Sequence, residues 1–267
     1  MSEFTDNVVA VTGASEGIGR ALCEALAPQR PKLVLSARNE ERLESLASTC
    51  REAGAEVLVV PGDMTRPEDC RRLVEAAVER FGRLDTLVAN AGRTMWARVD
   101  AVEDPGIFRD VMELNYFSVV NLTMAALPYL KASRGRIVPV ASVAGLTGVP
   151  SRSGYCASKH AVLGFFDSLR IELAETGVTV TNICPDFVVT QIHRRAVDGK
   201  GQPLGETPMQ ESKIMTAEEC AALMVKAMAR RERMLITSTR GKLGRFFKIF
   251  FPGLIDRIAA KAIADRK

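Results

Sequence analysis

The sequence predicts an α/β fold: one parallel, seven-stranded, doubly wound sheet with helices on both faces. Three observations carry the prediction. Short apolar runs without alternation read as strands covered on both sides, helical patterns separate them, and a glycine-rich turn joins the first run to the first helix. No internal repeat, low-complexity tract or linker interrupts this order, so residues 1–240 read as a single domain.

Taken in order, Val8 to Val11 is the first strand, and the turn after it leads into a helix from about Ile18 to Ala27. Leu33 to Leu35 is the second strand, followed by a charged helix from about Glu40 to Ala53. Glu56 to Val60 is the third, after which Pro67, whose ring presets a helical φ, opens a helix to about Phe81. Thr86 to Ala89 is the fourth, and a long helix follows from about Ile107 to Leu130. Ile137 to Val140 is the fifth; Pro139 inside it has no N–H for a ladder, which predicts a local irregularity. A helix from about Tyr155 to Glu175 and a sixth strand, Val178 to Thr181, come next, and Met234 to Ile236 is the seventh.

Composition narrows the class. The 267 residues carry 36 Lys+Arg against 32 Asp+Glu, a net charge of +4, with 47% hydrophobic residues, which is too apolar for disorder and too nearly neutral to indicate nucleic acid. Six cysteines (Cys23, Cys50, Cys70, Cys156, Cys184, Cys220) form no CxxC pair and only two histidines accompany them, which argues against a metal site and for a reducing, cytoplasmic setting. The N-terminus has neither the basic start nor the apolar core of a secretory signal, and no apolar run is long enough to span a bilayer.

The turn Thr12-Gly13-Ala14-Ser15-Glu16-Gly17-Ile18-Gly19 is the first feature that carries chemistry. Small residues let the backbone bend sharply and approach a pyrophosphate, whose charge the N-terminus of the next helix meets. Its TGxxxGxG spacing resembles the short-chain dehydrogenase/reductase family, in its short single-domain branch. The likeness continues through Asn90-Ala91-Gly92, Asn115, Ser142, Tyr155-Cys156-Ala157-Ser158-Lys159, Pro185 and Thr190, and covers about residues 5–195. It implies a Rossmann fold, a nicotinamide cofactor and a homodimer or homotetramer.

The end of the second strand reads Ser36-Ala37-Arg38, where an NAD-preferring dinucleotide fold usually has an acid for the ribose 2′-hydroxyl. Arg38 can fork onto a 2′-phosphate, with Ser36 as an extra donor, a contact worth roughly 1.5–3 kcal/mol. The missing acid favours NADP(H) over NAD(H). Glu16 leans the other way, since many NADP-preferring relatives carry a basic residue there. By resemblance, Gly13, Ser15, Glu16, Gly17, Ile18 and Gly19 hold the pyrophosphate end. Asp63 and Met64 meet the adenine, although Asp63 also reads as a helix N-cap. Asn90 braces the sheet, Ala91 and Gly92 put backbone beside the cofactor, and Pro185 and Thr190 flank the carboxamide.

Reducing a carbonyl requires a hydride and a proton. Tyr155 is the expected proton donor, with an ordinary pKa of ~10 that is poorly matched to neutral pH. Lys159, four residues on and on the same helical face, would lower it; a shift of ~3 units needs roughly 4 kcal/mol. Ser142, at the mouth of the fifth strand, would donate to the substrate oxygen. The resemblance adds that Lys159 bonds the nicotinamide ribose and that Asn115 holds a water linking Lys159 to solvent. Asp186 departs from the family pattern, in which glycine commonly follows the proline, and brings a carboxylate near the nicotinamide. His160 reads as packed on its helix and His193 as a surface or lid residue.

Substrate choice falls to loops beyond the strand ends: Arg93 to Trp96, Val143 to Arg152, and the polar segment 191–215, which reads as a mobile lid. Met95 and Trp96 suit a bulky apolar substrate or simply tuck against the core. Residues 241–267 form a basic amphipathic extension. In it Phe246, Phe247, Phe250 and Phe251 cluster, and Leu254, Ile255, Ile258, Ala259, Ala262 and Ile263 recur at helical spacing. Arg240, Lys242, Arg245, Lys248, Arg257, Lys261, Arg266 and Lys267 outnumber Asp256 and Asp265 there. Such a segment covers the pocket, packs on a subunit or lies on an anionic membrane surface. The expected function is NADP(H)-dependent interconversion of a hydrophobic, lipid- or steroid-like ketone and its secondary alcohol. The alternatives on the same fold are a non-catalytic NADP(H)-sensing module and a peripheral membrane adaptor.

Overall fold

The computed structural model describes residues 3–264. Strands β1 (Val8–Thr12), β2 (Lys32–Ser36), β3 (Glu56–Val59), β4 (Thr86–Ala89), β5 (Arg136–Pro139) and β6 (Thr179–Val180) lie parallel in the order β3-β2-β1-β4-β5-β6. The order reverses at β1, and the connections that leave the paired strands β1 and β4 run to opposite faces of the sheet and open a crevice there.

The expected single seven-stranded sheet is broken at one place. Strands β7 (Asn182–Cys184) and β8 (Met234–Ile236) form a separate parallel pair, joined to the main sheet through a bridge between Val140 and Ile183. Pro139 supplies the reason. Thr181 N donates to Ile137 O at 2.9 Å, and Ala141 N donates to Ile183 O at 2.7 Å. The regular ladder would have Pro139 donate between them, and proline has no N–H. The predicted sixth strand, Val178 to Thr181, is thereby shortened to β6, and β7 follows it beyond the predicted bounds.

Apolar layers cover both faces. Helices α1 (Gly17–Leu26), α2 (Glu40–Glu52) and α7 (Ala217–Ala229) bury Leu22, Leu26, Leu43, Leu46 and Met224 on one side. Helices α3 (Pro67–Phe81), α5 (Ser118–Ser133) and α6 (Ser153–Glu172) bury Leu73, Leu122 and Phe166 on the other. The predicted long helix after β4 is a composite: α4 (Gly106–Met112), one π-helical turn over Glu113–Phe117, then α5. Helix α7 goes beyond the predicted elements. It starts at a capping box in which Thr216 accepts from Glu219 N and Glu219 accepts from Thr216 N.

The 191–215 segment is irregular but tied down. Trp96 N donates to Val197 O at 2.8 Å and Val197 N to Thr94 O at 3.1 Å, so it crosses the loop after β4. His193, expected at the surface, is buried against the Phe187 ring. Met95 is fully buried beside Tyr155 and Ile107, the core-packing alternative for that loop.

Helices α8 (Thr239–Phe250) and α9 (Pro252–Ala264) close the described chain, and α8 is turned inside out. Its inward face is Gly241, packed against Ile236 and Val143, with Lys248, whose ammonium donates to Leu146 O at 3.1 Å. Leu243, Phe246, Phe247 and Phe250 recur at helical spacing on the opposite side and are exposed, with Phe246 at 58% and Phe250 at 62%. Of the basic extension, Asp265, Arg266 and Lys267 lie outside the described residues.

Candidate active site

The loops at the carboxyl ends of the strands converge on one cavity of about 930 Å³. The glycine turn forms its floor at one end. Gly13 and Gly17 adopt φ of +64° and +55°, where side chains are disfavoured, and a Cβ on Gly19 would lie 2.3 Å from Gly13 O. Asn90 fixes the turn from below: its Nδ2 donates to Thr12 O at 2.9 Å and to Gly13 O at 3.2 Å, and its N–H donates to Thr12 Oγ1 at 3.0 Å. The methyl of Thr190 closes on Gly17 from above. A backbone this bare, opening on the start of α1, is a cradle that fits a pyrophosphate.

Beyond it the cavity reaches Arg38, Asp63 and Met64, all in its lining. Arg38 is exposed, and among the described residues no hydrogen bond or ion pair occupies it. Ser36 is fully buried and outside the cavity lining, so it supplies no donor to a ligand there. Asp63 does not cap a helix, since Arg66 takes that position in α3. Partial burial raises its pKa, but bonds from the Thr65 N–H and hydroxyl, with Arg38 and Arg66 nearby, outweigh this and lower it. Glu16 is clasped by two arginines absent from the sequence-based site: Arg42 at 2.9 Å and Arg195 from the 191–215 segment. The acid in the glycine turn is thus neutralised, and Arg42 joins Arg38 in the cavity wall.

Ser142, Tyr155 and Lys159 line the other end. Ser142 caps a short turn over Val143–Gly145, its Oγ accepting from Ala144 N at 3.1 Å and donating to Pro185 O at 3.4 Å. That turn rests on α6, since a Cβ on Gly145 would lie 2.7 Å from Lys159 O. Tyr155 is in the first turn of α6, and Lys159 Nζ lies 5.8 Å from its ring centroid. The ammonium donates to Val140 O at 2.7 Å, and burial pushes its pKa down to about 8.

Asn115 sits in the π-turn, fully buried behind the cavity rather than in its lining. Its amide accepts from Arg93 N at 2.8 Å and donates to Arg93 O and Ser158 Oγ, both at 2.9 Å. Gly92 separates it from Lys159: a Cβ there would lie 3.2 Å from Asn115 Oδ1 and 3.7 Å from Lys159 Nζ. The extra residue in a π-turn re-aims one side chain, and here it points Asn115 at the loop that carries Ala91 and Gly92.

Asp186 lines the cavity, but its carboxylate is already engaged. Its carboxylate accepts from Ser238 Oγ at 2.6 Å and from Arg240 Nη2 at 2.8 Å, fastening this loop to the start of α8. Arg152, expected only as the end of a substrate-selecting loop, is a cavity-lining cation three residues before Tyr155. The helical i, i+3 spacing was its only signal. Among the described residues no group of His, Cys, Asp and Glu is arranged to hold a metal ion.

The profile of the short chain dehydrogenase family matches residues 7–201. An 11-beta-hydroxysteroid dehydrogenase 1A of Arabidopsis thaliana is 36% identical over 95% of this chain and 75% of its own length. A short-chain dehydrogenase/reductase from Burkholderia phymatum, solved in complex with NAD, superposes with a TM-score of 0.84 at 29% identity, covering 95% of this chain and 96% of that one. An alcohol dehydrogenase from the archaeon Thermococcus sibiricus, complexed with 5-hydroxy-NADP, superposes at 0.75 with 28% identity, over 86% and 95% of the two chains.

Proposed function

The chain belongs to the short-chain dehydrogenase/reductase family, an oxidoreductase family acting on CH–OH groups with NAD(P), and from that premise we propose that it reduces a hydrophobic ketone, or oxidises the matching secondary alcohol, with NADP(H). The observation that carries this reading is one continuous cavity whose lining takes in Arg38, the bare glycine turn, and Ser142, Tyr155 and Lys159. When bound, the nicotinamide cofactor supplies or accepts the hydride. Gly13, Ser15, Gly17, Ile18 and Gly19 would hold its pyrophosphate, and Arg38 with Arg42 its 2′-phosphate. Asp63 and Met64 would meet its adenine, and Ala91, Gly92, Pro185 and Thr190 its nicotinamide end.

Ser142 Oγ polarises the substrate oxygen and Tyr155 Oη delivers the proton. Lys159 supports the resulting phenolate and would bond the cofactor's ribose, and Asn115, buried behind Gly92, would hold a water that links Lys159 to solvent. Leu114, Val143, Val149, Phe187, Val188 and Ile192 give the substrate end an apolar wall. The Arabidopsis relative is named for a hydroxysteroid, in keeping with that wall. A pure cofactor sensor would have no use for a buried Tyr–Lys pair beside the nicotinamide position.

Fluorescence titration with NADPH and NADH tests the cofactor. We expect NADPH to bind about tenfold to a hundredfold tighter, the worth of one charge-assisted contact, and R38A to remove most of the difference. Equal binding by the wild type would overturn NADP(H) preference.

The inverted α8 supports a second reading, of where the protein works: in the cytoplasm, with α8 against an anionic membrane surface and its basic residues flanking the apolar stripe. Sedimentation with phosphatidylserine vesicles, lost in F246S/F250S, is the expected result; a wild type left in the supernatant sinks it. A homodimer or homotetramer would cover Met124 and Ile171, exposed on α5 and α6, and light scattering of the purified protein measures its mass.

A further inference from the structure

Arg152 is a buried cation that the proposed chemistry does not use. It is 4% exposed, lines the cavity and forms the N-cap of α6. Its guanidinium donates to the Thr94 hydroxyl, Nε at 3.3 Å and Nη2 at 2.8 Å, and among the described residues no ion pair includes it. Three aromatic faces also surround it. Its Cζ lies 4.3 Å from the Tyr155 ring centroid, 5.6 Å from that of Trp96 and 5.6 Å from that of Phe187.

A buried guanidinium ordinarily has a carboxylate partner, because burial without one is strongly unfavourable. Here the nearby carboxylate, Asp186, is already engaged by Arg240 and Ser238. The N-terminus of the 20-residue α6 adds positive potential at the same point. Lys159 contributes a second cation, its Nζ 5.8 Å from the Tyr155 ring centroid. The pocket is therefore charged in excess, and the excess is centred on one phenol.

We propose that Arg152 is a positioning residue that, together with Lys159, stabilises Tyr155 as a phenolate during proton transfer. This rests on the reading of Tyr155 as the proton donor. In the reductive direction the Oη–H bond of Tyr155 breaks as an O–H bond forms on the substrate alkoxide. The electron pair stays on Oη, so the negative charge passes from substrate to tyrosine, near both cations. A guanidinium on the ring face favours that product, since the face of a phenolate is more negative than that of a phenol. The stacked Trp96 and Phe187 rings keep water from screening it.

Several groups face Tyr155 and Arg152. They are Lys159 and Cys156 on α6, Cys184 on β7, Asp186 with its partner Arg240, His193 against Phe187, and Lys248 near Cys156. Burial raises the pKa of the Cys156 thiol and pushes that of Cys184 up to about 12, so both stay neutral below the alkaline range.

The test is a pH titration of tyrosinate absorbance in the full chain. Subtracting the Y155F spectrum isolates Tyr155 from Tyr116 and Tyr129. R152Q should move the Tyr155 titration up by about 1–3 pH units, the range for an opposite charge at this distance, and move the pH profile of alcohol oxidation with it. R152K, which keeps the charge, should hold the titration near the wild-type position. An unmoved titration in folded R152Q overturns the proposal. Should R152Q fail to fold, a folded R152K that titrates like free tyrosine overturns it equally. If R152Q leaves the titration in place and instead raises KM selectively for carboxylate-bearing carbonyls, Arg152 anchors substrate and the proposal fails. Turnover retained in Y155F removes the catalytic reading of Tyr155 while leaving the absorbance result standing.

Discussion

Helices α6 and α8 break the same packing rule in opposite directions. α6 carries Arg152 at its cap and Lys159 in its second turn, and buries both where apolar side chains are the norm. α8 carries four aromatic and aliphatic residues in a stripe and turns them to solvent, keeping glycine and lysine inside. Burying cations is unfavourable unless something negative is stabilised in return, and exposing a stripe of phenylalanines is unfavourable unless something apolar covers it. Each inversion therefore marks a missing partner. As proposed, the partner for α6 is a charge that develops on Tyr155, and for α8 it is a membrane surface.

The largest expected effect comes from removing the group that α6 surrounds. Y155F should lower turnover by about 10²–10⁴-fold while NADPH fluorescence titration stays nearly unchanged. Turnover within tenfold of wild type would make the two buried cations purely structural.

Next is the pH response of Lys159, which titrates at about 8 in the folded chain against 10.5 ordinarily. Above about 8 the ammonium is lost, so kcat/KM for reduction should fall roughly tenfold per pH unit, and K159M should abolish that limb along with most of the activity. Stability has the opposite slope. Between about 8 and 10.5 the unfolded chain still binds a proton that the native chain has released, so stability rises with pH there. A chemical-denaturation series across that window checks the sign.

The inner face of α8 should matter more to stability than the outer. A Cβ on Gly241 would come within 2.9 Å of both Ile236 and Val143, so G241V should destabilise by about 1–3 kcal/mol and lower turnover through the Ser142 turn. F246S/F250S touches the exposed face and should change stability by no more than about 0.5 kcal/mol in the same denaturation assay. A larger loss would show that the stripe is covered within the protein itself.

The fold was legible where local pattern decides it. The strand and helix bounds around Pro67, Phe81, Thr86 and Ala89 match the sequence reading to the residue, and Pro139 announced the place where the ladder breaks. Ser142, Tyr155 and Lys159 were legible through a spaced motif, and they line one cavity. What escaped depends on distant partners. The clasp on Glu16 joins residues 26 and 179 positions apart, and Ser36 looked available until β2 placed it inside the sheet. Trp96 and Phe187 gather around Arg152 only because the loop after β4, the start of α6 and the loop after β7 meet in space. The π-turn at Asn115 leaves no mark on apolar periodicity, and α7 was missed although its capping box stood in the sequence.

The attachments of α8 give it a mechanical character. At one end Arg240 grips the carboxylate of Asp186; at the other Lys248 holds the carbonyl of Leu146. Those two loops meet beside the cavity, where Val143 N donates to Pro185 O at 2.9 Å, so the helix works as a brace tying them together. Load placed on its outer face, by adsorption or by a fused tag, is shared by both loops and alters how far the mouth can spread. In this enzyme the rate at which a bulky product escapes should therefore depend on what the last helices rest against, even where the chemistry at Tyr155 does not.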